Sequence, residues 1–252
     1  MEMQNMKMPT GGMQAIETPP VDGKFVEVVV GLVKAGYLGL AGNLAYLIGS
    51  SWLLVAIAAG ATLVLGLIGL GGLGSLVAGL ALLVFASRWV RVLLLQESSG
   101  PIEFGKRDIG FIVNAIVVAI VAGLPAGLVN FLLAPILGGI AAILALVVGL
   151  GGAYLGLRLS LSPLGAAIGQ PVGFGESWSR TGANPVILRF MVAAIAAAIP
   201  FAIINGLLAT IGVFGGSLLL VVAQAVIAVI NFISTAVLLA QMTMLYRMVR
   251  PS

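Results

Sequence analysis

The last long apolar segment of the chain carries polar side chains at a spacing that could serve binding or transport. Gln224, Asn231 and Thr235 fall within about 40° of one another on a helical wheel. Amides and hydroxyls are costly inside a bilayer unless they form hydrogen bonds. This polar intramembrane stripe predicts either a path for a solute or ion, or a hydrogen-bonded seam between helices. We favour the seam.

The acidic residues nearest the apolar segments show no catalytic arrangement. Each lies close in sequence to a basic residue, and together they are Glu97, Glu103, Asp108 and Glu176. The chain has no His and no Cys, so the commonest general base, the commonest metal ligand and any thiolate are missing. We predict no enzymatic activity, no catalytic residue, no metal and no cofactor. Proton-coupled transport is disfavoured too, because no ionisable residue lies within a predicted span.

Glycines occur at spacings that are known from nucleotide sites and from helix contacts. Gly69, Gly71 and Gly74 spell G-x-G-x-x-G, but a dinucleotide site needs this motif between a strand and a helix. Here the motif falls between two predicted spans, which favours a glycine-rich helix hairpin. Small residues four positions apart predict close helix approach, in a tight bundle or an oligomer. These pairs are Ser75 with Gly79, Gly123 with Gly127, and Gly152 with Gly156.

Arginine and tryptophan residues cluster at the ends of the predicted spans. Arg suits bidentate contacts with phosphate, and Trp is enriched at membrane interfaces. We predict that these residues lie at headgroup depth, where they either bind anionic lipid or simply anchor the topology. The lipid-headgroup candidates are Arg88, Trp89, Arg91, Arg107, Arg158, Trp178 and Arg180.

The elements that must position these residues follow from the distribution of charge. Of the 252 residues, 61% are hydrophobic and only 8% are charged, against about 25% charged in soluble domains. Residues 38–87, 109–157 and 190–246 contain no charged residue. Each gap holds two spans of about 20 residues and a turn. The sequence predicts an all-α membrane protein with six transmembrane helices arranged as three hairpins.

Every basic cluster falls between the predicted hairpins or at the chain ends. By the positive-inside rule these clusters are cytoplasmic, as are both termini. We predict a disordered cytoplasmic tail over residues 1–23 and a single transmembrane domain over residues 24–250. The basic excess is assigned to the anionic cytoplasmic leaflet and not to nucleic acid.

The cytoplasmic segments resemble one another at an offset of 70 residues. Arg88 matches Arg158, and Phe104 matches Phe174. Amphipathic stretches follow Pro101 and Pro171, and another starts at Lys24. We interpret each as a short interfacial helix before a hairpin, in three repeats over approximately 24–96, 101–169 and 171–248. A solvated charged loop is the alternative. Glu176 and Arg180 are spaced to pair, as are Glu103 and Arg107.

Two stretches resemble a loosely defined bacterial family, the six-span membrane domain of some glycerophosphodiester phosphodiesterases and its mostly uncharacterised stand-alone members. The first runs from Arg88-Trp89-Val90-Arg91 through Glu97 to Gly105-Lys106-Arg107. The second runs from Leu161-Ser162-Pro163 through Gly173-Phe174-Gly175-Glu176-Ser177-Trp178 to Thr181. The resemblance covers residues 22 to 248 and implies a bacterial inner-membrane location with a role in lipid or envelope maintenance. It does not imply phosphodiesterase activity, because this sequence has no His and no catalytic domain.

From these patterns we expect an integral inner-membrane protein that associates with lipids or organises a membrane complex. Its partners would be membrane lipids, which could be anionic, and a second copy or another membrane protein. The alternative is a small-solute channel or a transporter that is not coupled to protons. A hydrated cavity at Gln224, Asn231 and Thr235 would favour this alternative, and pairing of these side chains across helices would oppose it.

Overall fold

The computed structural model describes residues 23–97, 104–182 and 186–249, and within these ranges the chain is helical without strands. The predicted tail over residues 1–23 lies outside them except for its last residue. The helices are α1 (Phe25–Gly42), α2 (Leu44–Leu67), α3 (Gly71–Leu95), α4 (Lys106–Leu137), α5 (Gly139–Leu159), α6 (Leu161–Ala167), α7 (Phe174–Gly182), α8 (Val186–Phe214) and α9 (Gly216–Val249).

Six of these helices are long and apolar enough to cross a membrane: α1, α3, α4, α5, α8 and α9. The prediction of an all-α, multi-pass membrane protein with six such helices is therefore confirmed. These six include α1, which extends the predicted interfacial segment at Lys24 into an apolar helix of 18 residues. Helix α2 is also uncharged and apolar over its 24 residues. Which helices cross, and on which side the termini lie, stays a prediction.

Consecutive long helices pack in antiparallel pairs: α2 with α3, α4 with α5, and α8 with α9. Gly69 has a φ of 80° in the first turn and Gly216 a φ of 84° in the third, a backbone conformation that residues with a Cβ rarely adopt. Gly138, with a φ of 54°, forms the second turn, and Pro125 lies inside α4. Helix α9 is central and contacts α1, α2, α3 and α8.

Glycines set the closest helix approaches. A Cβ added to Gly152 of α5 would overlap the carbonyl oxygen of Ala122 in α4, so the predicted pair of Gly152 and Gly156 does form a helix contact. A Cβ on Gly74 would lie 3.0 Å from the carbonyl oxygen of Ala61, which supports the hairpin interpretation of the G-x-G-x-x-G motif. An added Cβ at Gly123 or Gly127 meets no described atom within 4 Å, so that pair makes no close contact within this chain.

The charged residues that the structure describes gather at one end of the bundle. Arg91 near the end of α3 binds Asp108 near the start of α4, and Arg247 near the end of α9 donates to the carbonyl of Leu93 at 2.8 Å. At the same end, an apolar cluster joins Val28 of α1 to the ends of α5, α8 and α9. We call this region the charged end. The turns at residues 68–70, 138 and 215 form the opposite, uncharged end.

The contact between α4 and α5 makes a direct prediction. Gly152→Leu should destabilise the fold by at least about 1–3 kcal/mol, since backbone atoms of α4 stand where the new side chain must go. Gly123→Leu is the matched control, because it adds the same side chain to an open helix face. Thermal unfolding of the purified protein in detergent measures the difference. Equal unfolding midpoints for the two variants would contradict the described packing.

Candidate functional site

A buried ion cluster joins α3 to α4. Ser87 and Arg91 are one helical turn apart on α3, and both reach Asp108, which is fully buried. Asp108 Oδ1 accepts hydrogen bonds from Arg91 Nη2 and Ser87 Oγ, each at 2.8 Å. Its Oδ2 accepts from the backbone N–H of Gly105 at 2.9 Å, which also caps the first turn of α4. Both carboxylate oxygens are thus engaged in structural bonds.

Three of the lipid-headgroup candidates lie inside the protein. Trp89 is fully buried, and its indole N–H donates to the carbonyl of Ala236 at 2.9 Å. Its ring stacks on Phe85 at a centroid distance of 5.9 Å. Arg88 is 5% exposed and Arg91 8% exposed. Trp89 and Arg91 hold α3 against neighbouring helices, and all three side chains are buried.

The remaining four candidates are more exposed, and we call Arg107, Arg158, Trp178 and Arg180 the charged rim. Trp178 on α7 is 41% exposed, and the Arg158 guanidinium lies over its ring at 3.5 Å from the centroid. Arg158 Nη2 also donates to the carbonyl of Trp178 at 2.8 Å. An arginine over an indole face combines positive charge with an amphipathic ring, a pairing suited to headgroup depth.

Helix α7 is fixed to the end of α5 at the Arg158 carbonyl. The Ser177 hydroxyl donates to the Arg158 carbonyl at 2.7 Å. The Thr181 hydroxyl lies 3.1 Å from the same carbonyl and donates at 2.7 Å to the Ser177 carbonyl of its own helix. The predicted ion pair between Glu176 and Arg180 forms on the opposite, solvent-facing side of this amphipathic helix. The Arg158 backbone and side chain together hold α7 in one orientation.

Arg107 completes the charged rim beside the link between α6 and α7. Its guanidinium binds Glu97 at 3.1 Å, and its Nε lies 3.2 Å from where a Cβ on Gly169 would stand. The Arg107 side chain is 46% exposed. The predicted partner Glu103 lies outside the described residues. The Arg107–Glu97 pair joins the segment that follows α3 to the start of α4.

The polar stripe is divided between a cavity and a helix contact. A cavity of about 200 Å³ lies among α2, α3 and α9, and its polar lining consists of Thr62, Ser75, Gln224 and Asn231. Asn231 also accepts a hydrogen bond across helices from Asn205 Nδ2 on α8, at 3.1 Å. Thr235 does not line the cavity. Asn231 therefore lies at both the cavity and the contact with α8, and the choice between a path and a seam stays a prediction.

Sequence reasoning missed Asn205 and Asp108 as interior residues. Asn205 lies in α8, which extends to Phe214, and donates to Asn231 of α9. Asp108, one of the acids noted close to a base, is fully buried. Ser87 and Arg91 are four positions apart and therefore lie on the same face of α3. This spacing could have indicated that both bind Asp108, near the start of α4, and that Asp108 is buried.

No group of three or more His, Cys, Asp or Glu that could hold a metal occurs among the described residues. Comparison with known proteins gives no match to a family model, to a curated protein or to a solved structure. The resemblance to the membrane domain of glycerophosphodiester phosphodiesterases therefore stays a prediction. The geometry described above is the basis for any functional statement.

The buried ion cluster makes a stability prediction. Asp108→Asn leaves the Arg91 charge buried without its counter-ion, which should cost about 3–5 kcal/mol. Glu97→Gln breaks the exposed pair with Arg107 and should cost about 1 kcal/mol or less. Thermal unfolding in detergent compares the two variants. The double variant Arg91→Met/Asp108→Leu should recover much of the loss, and a stable Asp108→Asn protein would refute the role given to this cluster.

Proposed function

We propose that this chain is a non-enzymatic protein of the bacterial inner membrane that binds anionic lipid headgroups through the charged rim at its charged end, with both termini cytoplasmic. The observation that carries the proposal is Trp178, half-exposed on α7 beneath the Arg158 guanidinium at 3.5 Å. The ring supplies an amphipathic anchor and the guanidinium supplies a phosphate ligand beside it.

The balance of charge at the charged end supports the binding of anions. Among residues 23–97, 104–182 and 186–249 there are ten Lys or Arg and four Asp or Glu. Asp108 is enclosed with Arg91, while Glu97 and Glu176 each bind one rim arginine. Lys24, Lys34 and Lys106 are exposed at the same end. Each basic residue near an anionic membrane surface adds about 1 kcal/mol of attraction.

The rigidity of α7 supports a binding role over simple anchoring. A flexible arginine loses rotamer entropy when it binds phosphate, whereas Arg158 is already held by the Trp178 ring and carbonyl. The Ser177 hydroxyl, bonded to the Arg158 carbonyl, keeps the helix in place. Headgroups would therefore meet a preformed surface in which Arg180 and Trp178 are displayed one after the other.

The alternative of a solute channel draws support from the cavity among α2, α3 and α9. On α9 the lining residue nearest the charged end is Phe232, and on α3 it is Leu82. Beyond them both helices enter the packed cluster of Phe85, Trp89 and Ala236. In this conformation the cavity ends at a wall of aromatic side chains, which favours a binding pocket over an open pore.

Removal of rim charges should weaken the retention of anionic lipid. We expect Arg107→Gln/Arg180→Gln to lower phosphatidylglycerol bound to the purified protein about tenfold or more, from about 1 kcal/mol per basic residue. Arg158 is left intact so that α7 stays docked. Native mass spectrometry after equilibration with equal phosphatidylglycerol and phosphatidylcholine measures bound lipid, and the loss should shrink as salt is raised.

The matched control is Lys24→Gln/Lys34→Gln, which removes the same charge from α1 at the charged end. Its phosphatidylglycerol retention should fall clearly less than that of the rim variant, since Lys binds phosphate only as a point charge and makes no bidentate contact. Equal losses in both double variants would show a diffuse basic surface in place of a rim site. Unchanged retention in the rim variant would overturn the proposal.

A further inference from the structure

The cavity among α2, α3 and α9 differs from the charged rim in both place and chemistry. Its volume is about 200 Å³, below the 300–1,000 Å³ typical of pockets for drug-sized ligands. Ser75 lies four residues from the start of α3 and Thr62 five residues from the end of α2, or about 6–8 Å from the uncharged end. The cavity then extends to Asn231, near the middle of α9. A small molecule could enter it from the uncharged end.

Hydroxyl oxygens of the lining are available as acceptors. Thr62 Oγ1 donates its proton to the carbonyl of Ala58 at 2.8 Å, and Ser75 Oγ donates to that of Gly71 at 3.1 Å. Because each hydroxyl proton is used within its own helix, the oxygen can receive a hydrogen bond from a ligand O–H. Two acceptors therefore line the α2–α3 side of the cavity.

Amides of α9 supply donors on the opposite side. Gln224 forms no hydrogen bond with any residue that the structure describes, so its whole amide is free for a ligand. Asn231 Oδ1 is held by Asn205, which leaves the Asn231 N–H groups as donors. A hydroxyl group both donates and accepts hydrogen bonds. A ligand with several hydroxyl groups would therefore bond to the acceptors of α2 and α3 and to the donors of α9.

The lining excludes charge and includes apolar surface. All lining residues are uncharged, and they include Leu82, Ile227 and Ala78. The cavity is open on one side, at the exposed residues Ser75, Gly79 and Gln224, and its lining offers a charged ligand no counter-ion. Apolar patches between polar groups match the C–H faces of a polyol or sugar. Both arguments select neutral molecules over ions.

We infer that this cavity binds an uncharged polyhydroxyl group of the size of a small polyol or a single sugar, between the acceptors of Thr62 and Ser75 and the amides of Gln224 and Asn231. The group could belong to a free solute at the uncharged end or to the headgroup of a neutral glycolipid in the adjoining leaflet. This site is independent of the charged rim.

Gly79 offers a way to fill the cavity without disturbing the helices. It lies among the lining residues, and a Cβ added there meets no described atom within 4 Å. Gly79→Leu should therefore occupy the cavity. The control Gly123→Leu adds the same side chain to an open face of α4, away from the cavity. A second variant, Gln224→Leu/Asn231→Leu, keeps the approximate shape and removes the amide donors.

The experiment measures ligand binding to the full chain in phosphatidylcholine nanodiscs. Radiolabelled erythritol and glucose test the free solutes, glucose 6-phosphate is the charged comparator, and native mass spectrometry with monoglucosyl diacylglycerol tests the lipid source. We expect saturable binding of at least one neutral probe, at least tenfold weaker binding of glucose 6-phosphate than of glucose, and at least tenfold loss in Gly79→Leu and in Gln224→Leu/Asn231→Leu. Binding by free solutes alone, or by the glycolipid alone, identifies the source.

Three results would overturn the inference: no saturable binding of any neutral probe, equal binding in Gly79→Leu and Gly123→Leu, or equal affinity for glucose and glucose 6-phosphate. Each variant must have the same thermal unfolding midpoint as the unmodified protein. A loss of ligand binding then reflects a change in the cavity and not a loss of fold. Phosphatidylglycerol retention is measured on the same protein preparations after equilibration with equal phosphatidylglycerol and phosphatidylcholine. It should be unchanged in Gly79→Leu, so that failure of the cavity site and failure of the rim site are distinguished.

Discussion

The buried carboxylate of Asp108 determines how α3 and α4 meet, and the rest of the charged end is built around that contact. A carboxylate out of water must be fully bonded, and here Arg91, Ser87 and the Gly105 N–H together meet that requirement. This fixes the end of α3, whose Leu93 carbonyl receives Arg247 from the end of α9. The Asp108 carboxylate, whose burial is costly unless it is fully bonded, thus sets the register of α3, α4 and α9. The exposed residues of the charged end, including the charged rim, lie on or beside the helices that this contact joins.

The apolar helices could be predicted from the sequence because bilayer thickness and the cost of buried charge leave little freedom. Uncharged gaps of two span lengths predicted long apolar helices, and the i, i+4 spacing predicted the pair of Glu176 and Arg180. Trp89 could not be placed in the same way. An indole beside arginines is typical of an interface, and only the tertiary structure, through the Ala236 carbonyl, makes it a core residue. Helix α6 and the Asn205–Asn231 bond escaped prediction for the same reason, since both depend on contacts distant in sequence.

The two ends of the bundle are chemically opposite. At the charged end, polar recognition would rest on guanidinium groups, whereas the cavity toward the uncharged end offers only hydroxyls and amides. Between them Phe232 packs on Phe85 at 5.1 Å, and Phe85 stacks on Trp89. This aromatic column separates the charged rim from the cavity. Neither site needs an ionisable group at mid-membrane, in agreement with the absence of charge from the long gaps in the sequence.

The arrangement of Arg158 over Trp178 has an optical consequence. The three tryptophans of the chain occupy three different surroundings: Trp52 is 58% exposed on α2, Trp89 is sealed in the core, and Trp178 lies under a cation. A cation against the indole face perturbs its excited state, so emission from Trp178 would change whenever α7 separates from α5. With Trp52 and Trp89 replaced by Phe, the protein would report the docking of its own amphipathic helix without any added label.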